Sequence, residues 1–433
     1  MVKKNVVRLG AGLLALALAA TLSACGGGSE QNEGDTKTLD VMMSPHALTD
    51  HVQEKLSEFE EQTGIKVNIT SLNEDQVSQQ LRVEFGAANS TTDVFLFRPP
   101  QDLAQFSNNG WIEDLSDKVK EDSFEWDDFG AAAKQAVTNS DGEVLAVPVA
   151  TARQMLFYRK DLLAAKGVEV PTNLDELKAA AAALKDGDTA GICMRGQRAQ
   201  AVTTWAQFLY KFDGDWNKGK KPYGDATINS PEAVKAFSYY GDLLRESGPD
   251  GVLNMSWAEC SALFQQGKTA MLIEGDDRWP EFIDPEKSTL TKEQVGFAIS
   301  PALTSAVTPQ ALGISAFSDN KEGAWEFVKW ATSKEMAAEM QGVGVMGARN
   351  SAWEAQQTKD FFPEEVIKAV QYGNENGVSY DRPRIVKVGE ARDAIGEVIV
   401  AAIQGGDVQA AADTANTSFQ ALIDAEKQEF NIS

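Results

Sequence analysis

The stretch LDVMMSPHALTDHVQEKLSEFEEQTGIKVNITSLNEDQVSQQLRVEFGAANSTTDVFLF, residues 39–97, decides the fold, because the spacing of its apolar residues changes repeatedly. Alternation indicates strands with one buried face, and spacing of three or four indicates amphipathic helices. Gly64 stands where helices often end in the left-handed conformation. Strands are predicted at 39–43, 65–69 and 94–97, and helices at 52–59 and 77–85. Alternating strands and helices predict a parallel sheet covered by helices, so the fold class is α/β.

The chain beyond residue 147 repeats this organisation. Asn173 and Glu176 predict the N-cap and the closing residue of a capping box, and Ser230-Pro231 predicts another helix start. Strands are predicted at 155–158, 270–273 and 311–317, and helices at 173–184, from 231 onward, at 261–266, at 324–331 and over most of 364–429. The sequence therefore predicts two α/β units, with the chain returning to the first unit before a helical C-terminal part.

The N-terminus has the pattern of a secretory signal. A short basic segment precedes an uncharged run of Leu, Ala and Gly at 9–20, which is too short to span a bilayer comfortably. The next residues, Leu-Ser-Ala-Cys at 22–25, resemble the lipobox of bacterial lipoproteins, in which the cysteine carries the lipid. We expect a signal peptide at 1–24, lipidation of Cys25 and a flexible tether at 25–36. An ordinary signal peptide with a chance cysteine is the alternative.

The composition excludes several classes of function. A length of 433 residues suggests two or three domains, and the formal charge of −24 disfavours nucleic-acid phosphates or anionic lipid surfaces as partners. The chain has only two histidines and no Cys/His cluster with zinc spacing, so we expect no metal site and no cofactor. Cys193 and Cys260 either pair, as an oxidising compartment allows, or stay as buried thiols.

Motifs of nucleotide-binding proteins and serine hydrolases fail on inspection. The GKT sequence at 267–269 lacks the earlier glycine that a phosphate loop requires. Gly342, Gly344 and Gly347 fit G-x-G-x-x-G, but a predicted helix precedes them where that fingerprint needs a strand. A pair of carboxylates for glycoside hydrolysis stays open, because 64 acidic residues supply many candidate pairs.

Several stretches, taken together and in order, resemble a known family. They are TTDVFLFRPPQDLAQFSNNGWIEDL at 91–115, GEVLAVPVATARQMLFYRKDLL at 142–163, FQQGKTAMLIEGDDRW at 264–279, NKEGAWEFVKWATSKE at 320–335 and VMGARNSAW at 345–353. They resemble the extracellular solute-binding lipoproteins of carbohydrate ABC importers, the broad family that includes maltose-binding protein. MRGQRAQ at 194–200 and Tyr-Asp-Arg-Pro at 380–383 are similar to the branch that includes sorbitol- and mannitol-binding proteins.

The resemblance implies a two-lobed periplasmic-binding-protein-like fold of type II, with three crossovers between the lobes and a cleft between them. By position, the crossovers are expected near 149–153, 310–313 and 344–350. The expected N-terminal lobe comprises 37–149 plus 312–345, and the expected C-terminal lobe comprises 150–311 plus 346–433. The glycines near 344 would then serve a hinge, which absorbs backbone rotation.

Site residues are expected from their place in the implied cleft. A neutral polyhydroxylated solute needs aromatic faces for its C–H side and forked polar groups for its hydroxyls. For stacking we expect Trp205, Trp279 and Trp353, with packing in the core as the alternative for each. For hydroxyls we expect Arg98, Arg153, Gln197, Asp276, Asp277 and Arg349, with His46 also facing the cleft, and solvated or capping roles are the alternatives.

The resemblance also implies a function without catalysis. The chain would be a monomeric receptor, lipid-anchored at the extracellular face of the bacterial membrane, that captures a sugar or sugar alcohol and delivers it to ABC permease subunits. Two alternatives remain. One is a secreted carbohydrate hydrolase that uses two carboxylates, and the other is an adhesion or interaction lipoprotein without a small-molecule site.

Overall fold

The structure is a computed structural model that describes residues 38–88, 90–299 and 306–432. The predicted signal peptide, Cys25 and the tether lie outside the described residues. Among the residues that are described, no helix combines the length and the apolar character that a membrane span requires.

Eight strands of the described chain form one mixed sheet. They are Thr38–Met43 (β1), Lys66–Ser71 (β2), Val94–Phe97 (β3), Val147–Arg159 (β4), Ala190–Cys193 (β5), Thr269–Gly275 (β6), Val295–Ala298 (β7) and Val307–Ile314 (β8). The strand order is β2-β1-β3-β8-β4-β6-β5, and β7 also pairs with β4. The predicted parallel pairing is confirmed for β1 with β2 and β3, and for β5 with β6, whereas β8 and β4 run antiparallel to their neighbours.

Helices cover both faces of the sheet. In the first half of the chain they are Ala47–Thr63 (α1), Glu74–Gly86 (α2), Pro99–Asn108 (α3), Ala131–Ala136 (α4), Lys160–Lys166 (α5), Leu174–Leu184 (α6) and Arg198–Lys211 (α7). The later helices are Pro231–Ser247 (α8), Trp257–Gln265 (α9), Trp279–Ile283 (α10), Lys321–Ala331 (α11), Lys334–Gly342 (α12), Gln356–Phe361 (α13), Glu364–Asn376 (α14), Val388–Gln404 (α15) and Val408–Glu429 (α16). Gly64 ends α1 with φ of 70°, as its position predicts.

The long strand β4 belongs to two lobes. Its first half, up to Arg153, pairs with β8, while its second half pairs with β6 on one side and β7 on the other. We call the part around β1, β2, β3 and β8 the first lobe, and the part around β5, β6 and β7 the second lobe. Each lobe has hydrophobic clusters of its own, and the second lobe buries one of them beneath α7, α8, α15 and α16.

Three backbone segments run side by side where the lobes join, and we call this region the hinge. Ala150 of β4 lies opposite Gln310 of β8 and also bridges to Gly347. The Thr151 N–H donates to the Met346 carbonyl at 2.8 Å. The predicted lobe boundaries themselves remain a prediction.

Two local expectations need correction, at the start of β8 and at Asn173, while a third, helix over most of 364–429, is confirmed with interruptions. The strand expected at 311–317 spans Val307–Ile314, because its first residues pair with the hinge part of β4. The helical C-terminal part is interrupted at 377–387, between α14 and α15. Asn173 caps α6 as predicted, but the Glu176 carboxylate accepts from the Thr172 N–H at 2.7 Å instead of closing a box on Asn173.

The question of the two cysteines is answered by a disulfide. Cys193 ends β5, Cys260 lies on α9, and their Cα atoms are 5.6 Å apart. Both residues are fully buried in the second lobe. The bond therefore ties a helix of the second lobe to its edge strand across 67 residues of sequence.

Removing this disulfide should destabilise the protein, because it closes a long loop in the unfolded chain. The double variant Cys193→Ser, Cys260→Ser is expected to lose about 2–4 kcal/mol of unfolding free energy. Urea denaturation measures this loss, and the same experiment on the parent chain with a thiol reductant is the matched control. Equal midpoints for the variant and the oxidised parent chain would contradict the expectation.

Candidate functional site

The ends of several strands meet at the junction of the two lobes. Arg98 follows β3 in the first lobe, and Arg195 comes two residues after β5 in the second. Loops at the carboxyl ends of strands are where α/β folds place their ligand-binding groups. The interrupted segment 377–387 and the start of α15 complete the same junction.

Arg98, a predicted site residue, is held on the first-lobe side of the junction. Its guanidinium donates to Glu74 and to Asp75, both at 2.9 Å. The Gln310 side chain of the hinge also donates to Glu74 at 3.3 Å, and its buried Oε1 has no partner among the described residues. Arg98 is therefore oriented by carboxylates while about a third of its side chain stays accessible.

On the second-lobe side, Arg195 forms a bidentate pair with Glu274, the penultimate residue of β6. Burial raises the pKa of Glu274, but the Arg195 guanidinium outweighs it and holds this pKa below its usual range. The Tyr240 hydroxyl donates to the Arg195 carbonyl at 2.6 Å and so holds the segment that follows β5 in place. The bidentate geometry locks Arg195 more strongly than a single contact would.

The segment 377–387 brings a second bidentate pair into the junction. Arg382 donates to the Asp381 carboxylate at 2.7 and 2.8 Å. Arg382 also reaches Gln101 at the start of α3, at 3.2 Å, and the Thr203 hydroxyl of α7, at 3.3 Å. Because Gln101 belongs to the first lobe, this side chain bridges the two lobes.

Arg392 of α15 completes a group that we call the arginine cluster: Arg98, Arg195, Arg382 and Arg392. Arg392 is 9% exposed, and its Nη2 donates to Thr203 at 3.3 Å. Burial, followed by the positive charge of Arg382, lowers the pKa of Arg392 to about 9. Arg195 and Arg98 contribute to the same shift, so the charges of all three other arginines act on Arg392.

A rim beside the cluster brings together three other polar side chains from both lobes. His46 caps α1, where its Nδ1 accepts from the Leu48 N–H at 3.1 Å. Burial lowers the pKa of His46, while the charge of Asp277 from the second lobe opposes this shift. Arg278 pairs with Asp277 at 3.4 Å and lies 4.4 Å from the ring centre of Trp257, which is 39% exposed. Two predicted residues, His46 of the first lobe and Asp277 of the second, are thus close enough for the charge of Asp277 to act on the pKa of His46.

Gln197 is exposed at the start of α7, near the same rim. Its N–H donates to the Met255 carbonyl at 3.0 Å, and its side chain makes no capping hydrogen bond. The structure therefore leaves the Gln197 amide free of a capping role.

Arg153 and Asp276, both predicted site residues, form a buried ion pair in the hinge. Arg153 Nη1 donates to Asp276 at 2.6 Å, and the Arg153 N–H donates to the same carboxylate at 2.9 Å. The guanidinium also donates to Asn374 of α14 at 2.8 and 3.1 Å. Both side chains are fully buried, so the structure assigns them to holding the hinge together and not to the cleft surface.

Arg349 also serves the architecture, because protein groups occupy its donors. It donates to the carbonyls of Thr332 and Phe124 at 2.6 and 2.9 Å, and to the Asp128 carboxylate at 3.3 Å. Its guanidinium lies 4.3 Å from the ring centre of Phe129. With 4% exposure, Arg349 anchors the third hinge segment to the first lobe and is not placed to bind a solute.

The three tryptophans expected to stack on a ligand are fully buried. Trp205 stacks on Phe237 with ring centres 4.0 Å apart, and Trp279 and Trp353 lie in another hydrophobic cluster of the second lobe. Trp205 lies within α7, Trp279 begins α10, and both belong to the sides of these helices that are buried in the core. The structure therefore favours the alternative of core packing for all three.

The structure also reveals site residues that the sequence reasoning missed. Arg195, Arg382 and Arg392 belong to the arginine cluster, and Trp257 supplies the exposed aromatic face of the rim. A signal was available for two of them, because Arg195 and Arg382 lie inside the MRGQRAQ and Tyr-Asp-Arg-Pro stretches. Arg392 stands within a regular helix pattern and gave no signal.

A groove outside the cluster separates the lobes on one side. It encloses about 680 Å³, open solvent included, between α3 and α4 of the first lobe and the residues near Tyr223 and Tyr380 of the second. Arg384 lies 4.2 Å from the Tyr380 ring centre at its edge. The segment 377–387 therefore presents Tyr380 and Arg384 to the groove and Arg382 to the cluster.

Comparisons with known proteins agree with this architecture. The sequence profile described as bacterial extracellular solute-binding protein matches residues 46–338, more than half of the chain. A solved ABC transporter solute-binding protein from Agrobacterium radiobacter K84, in complex with ribitol, is 27% identical with a TM-score of 0.77. That match covers 90% of this chain and 99% of the other, and it confirms the predicted two-lobed α/β fold.

Curated relatives match over a shorter region. The mannitol-binding protein of Pseudomonas aeruginosa is 25% identical over 287 residues, which cover 63% of this chain and 64% of that protein. The erythritol/L-threitol-binding protein of Mycolicibacterium smegmatis is 24% identical over 340 residues, which cover 71% of this chain and 69% of that protein. The chain thus spans about two thirds of the length of these relatives.

The buried Arg153–Asp276 pair should contribute far more to stability than the Asp277–Arg278 pair of the rim. Asp276→Asn leaves the buried Arg153 charge without a full partner and is expected to cost about 3–5 kcal/mol of unfolding free energy. Asp277→Asn is the matched control, because its partly exposed pair with Arg278 should contribute below about 1 kcal/mol. Chemical denaturation of both variants measures the difference, and equal losses would contradict the assignment of Asp276 to the hinge.

Proposed function

The chain belongs to the family of bacterial extracellular solute-binding proteins, and on that premise we propose that it captures a sugar or sugar alcohol between its lobes for an ABC importer. One observation carries the proposal. Fixed polar side chains from both lobes, among them Arg98, Arg195 and Arg382, converge at the ends of the strands. The names of the relatives, which refer to mannitol and to erythritol or L-threitol, support the class of ligand.

Recognition would rest on hydroxyl groups that meet oriented donors and acceptors. Arg98 and Arg195 offer guanidinium donors that carboxylates already hold in place, and Asp277 offers an acceptor at the rim. Each buried hydroxyl left without a partner costs about 1–3 kcal/mol, so such a site selects a solute by its hydroxyl pattern. Trp257, the exposed aromatic residue of the rim, would cover the C–H side of the solute.

Closure of the lobes would trap the solute. The hinge consists of three adjacent backbone segments, and small dihedral changes there can rotate one lobe against the other. The Arg382–Gln101 contact is one that such a rotation makes or breaks. The solute shifts the equilibrium toward the closed form to the extent that it prefers this form. The same hinge supports lobe boundaries close to 149 and 345, and a second crossing at 306–310, slightly before the predicted 312.

We further propose that the chain is a monomer held at the extracellular face of the bacterial membrane by lipid on Cys25. The basic segment, the apolar run and the lipobox-like residues at 22–25 support this anchor. A tether at 25–36 would let the lobes reach permease subunits. Two acyl signals anchor a protein stably, whereas a single chain binds only reversibly.

A carbohydrate hydrolase is the second candidate, and it needs two acidic groups free to react. At the junction, Glu274 and Asp381 are each held by a bidentate arginine, and their pKa values lie below the usual range. A general acid for glycoside cleavage needs a raised pKa. The binding function is therefore favoured over the hydrolase and over an adhesion role without a small-molecule site.

A ligand screen tests the proposal. The purified chain 26–433, which contains the compact unit Lys37–Ser433, is heated in the presence of alditols, monosaccharides and short oligosaccharides. A solute at 100 times its Kd should add about 2.7 kcal/mol to the unfolding free energy and raise Tm. Recovery of the solute chemically intact after incubation separates binding from hydrolysis. No shift with any carbohydrate, for a folded and ligand-free preparation, would contradict the proposal.

The anchor is tested in the bacterial cell. Cys25→Ser should abolish incorporation of labelled fatty acid and move the protein from the membrane fraction to the soluble fraction. Ser23→Ala is a matched control, because it changes a neighbouring small residue and keeps the cysteine. A Cys25→Ser protein that still carries labelled lipid would overturn the assignment.

A further inference from the structure

Arg392 differs from the other members of the arginine cluster, because no carboxylate of the described residues contacts it. Arg98, Arg195 and Arg382 each donate to a carboxylate at hydrogen-bonding distance. Arg392 makes no ion pair in the described part of the chain, and its Nε there has no hydrogen-bond partner. The internal residues outside that part, Asn89 and Ser-Pro-Ala-Leu-Thr-Ser at 300–305, include no acid.

Asp381, the carboxylate whose charge acts on Arg392, is already engaged. Both of its oxygens accept from Arg382, at 2.7 and 2.8 Å. The one side chain that Arg392 does contact, Thr203, accepts from Arg382 as well, at the same 3.3 Å. Two guanidinium groups therefore share one hydroxyl, and Arg392 has no carboxylate of its own in the described part of the chain.

Burying such a charge is costly. An isolated charge removed from water is destabilising unless an opposite charge and hydrogen bonds compensate it. The exposed fraction of Arg392 is 9%, so 91% of the residue is buried, and three other guanidinium groups repel it. An arrangement of this kind persists when a binding partner supplies the missing negative charge.

The position of Arg392 indicates where such a negatively charged partner would bind. Arg392 shares the Thr203 hydroxyl with Arg382, at 3.3 Å from each, so it lies beside the junction between the lobes. Arg382 beside it spans the junction to Gln101. An acceptor on the solute at this point would contact Arg392 while its other groups meet Arg98 and Arg195.

We propose that the solute carries a single carboxylate, as an aldonic or uronic acid does, and that Arg392 and Arg382 bind this group. This inference rests on the proposed function, because it describes the same site. The forked guanidinium donates two parallel hydrogen bonds to a carboxylate, and the opposite charges strengthen them. Neutral hydroxyls lack the negative charge. Arg392 is one guanidinium without a carboxylate in contact among the described residues, which favours a monocarboxylate over a phosphate dianion.

The test compares solutes that differ only in the acid group. Calorimetric titration of the purified chain 26–433 uses three pairs of equal carbon number: gluconate with glucitol, ribonate with ribitol, and erythronate with erythritol. We expect at least one acid to bind tenfold or more tightly than its alditol. This preference should weaken in high salt, since ions screen charge attraction.

Variants separate charge recognition from folding. Arg392→Gln should weaken binding of the acid at least tenfold and change binding of the alditol less than threefold. Arg392→Lys keeps the charge but loses the forked pair of donors, so its affinity for the acid should fall between those of the parent chain and Arg392→Gln. This variant replaces Arg392→Gln in the test if the glutamine variant does not fold. Arg245→Gln removes one positive charge from the surface of α8 and is the matched control, with both affinities unchanged.

The outcomes distinguish this inference from the proposed function. If an alditol or neutral sugar binds as tightly as every acid, or if Arg392→Gln weakens both members of a pair equally, the carboxylate assignment is overturned and the capture of a polyhydroxylated solute stands. If neither acids nor neutral carbohydrates bind, both are overturned. A tenfold preference for the acid that Arg392→Gln removes supports the inference.

Discussion

The pairing of three backbone segments at the hinge is the constraint on which the rest of the structure depends. One strand, β4, contributes its first half to the sheet of the first lobe and its second half to the sheet of the second. Its side-by-side contacts with β8 and with the segment around Gly347 fix how the two sheets face each other. Because backbone hydrogen bonds carry this connection, side chains near it are free to serve either stability or binding.

The hinge explains the division of labour among the charged residues. Arg153 and Asp276 form a buried ion pair in the hinge, where loss of either charge leaves the other buried without its partner. The arginine cluster lies at the junction of the two lobes, near the ends of the strands. Carboxylates orient Arg98, Arg195 and Arg382, whereas Arg392 has only a shared hydroxyl. Arg392 thus keeps hydrogen-bond donors that an acceptor group of the proposed solute can bind.

The order β1, α1, β2, α2, β3 follows from the sequence to within a few residues. Apolar alternation predicts β1 and β2, helical spacing predicts α1 and α2, and Gly64 marks the end of α1, because these signals depend on near neighbours only. Prediction failed where distant pairing decides the outcome. The strand β8 begins four residues earlier than expected, since its partner is the hinge part of β4. Residue type alone also left the tryptophans undecided, because a large aromatic residue fits a core or a cleft equally well, and the structure favours the core.

The sequence by itself determined the α/β class, the resemblance to solute-binding lipoproteins and the presence of arginines near strand ends, because periodicity and motifs are local properties. Only the tertiary structure decided which charges meet. It paired Arg153 with Asp276, joined Cys193 to Cys260 and left Arg392 without a carboxylate. The physical reason is that an ion pair, a disulfide or an unpaired charge depends on distances between residues far apart in the chain, and packing of the lobes alone sets those distances.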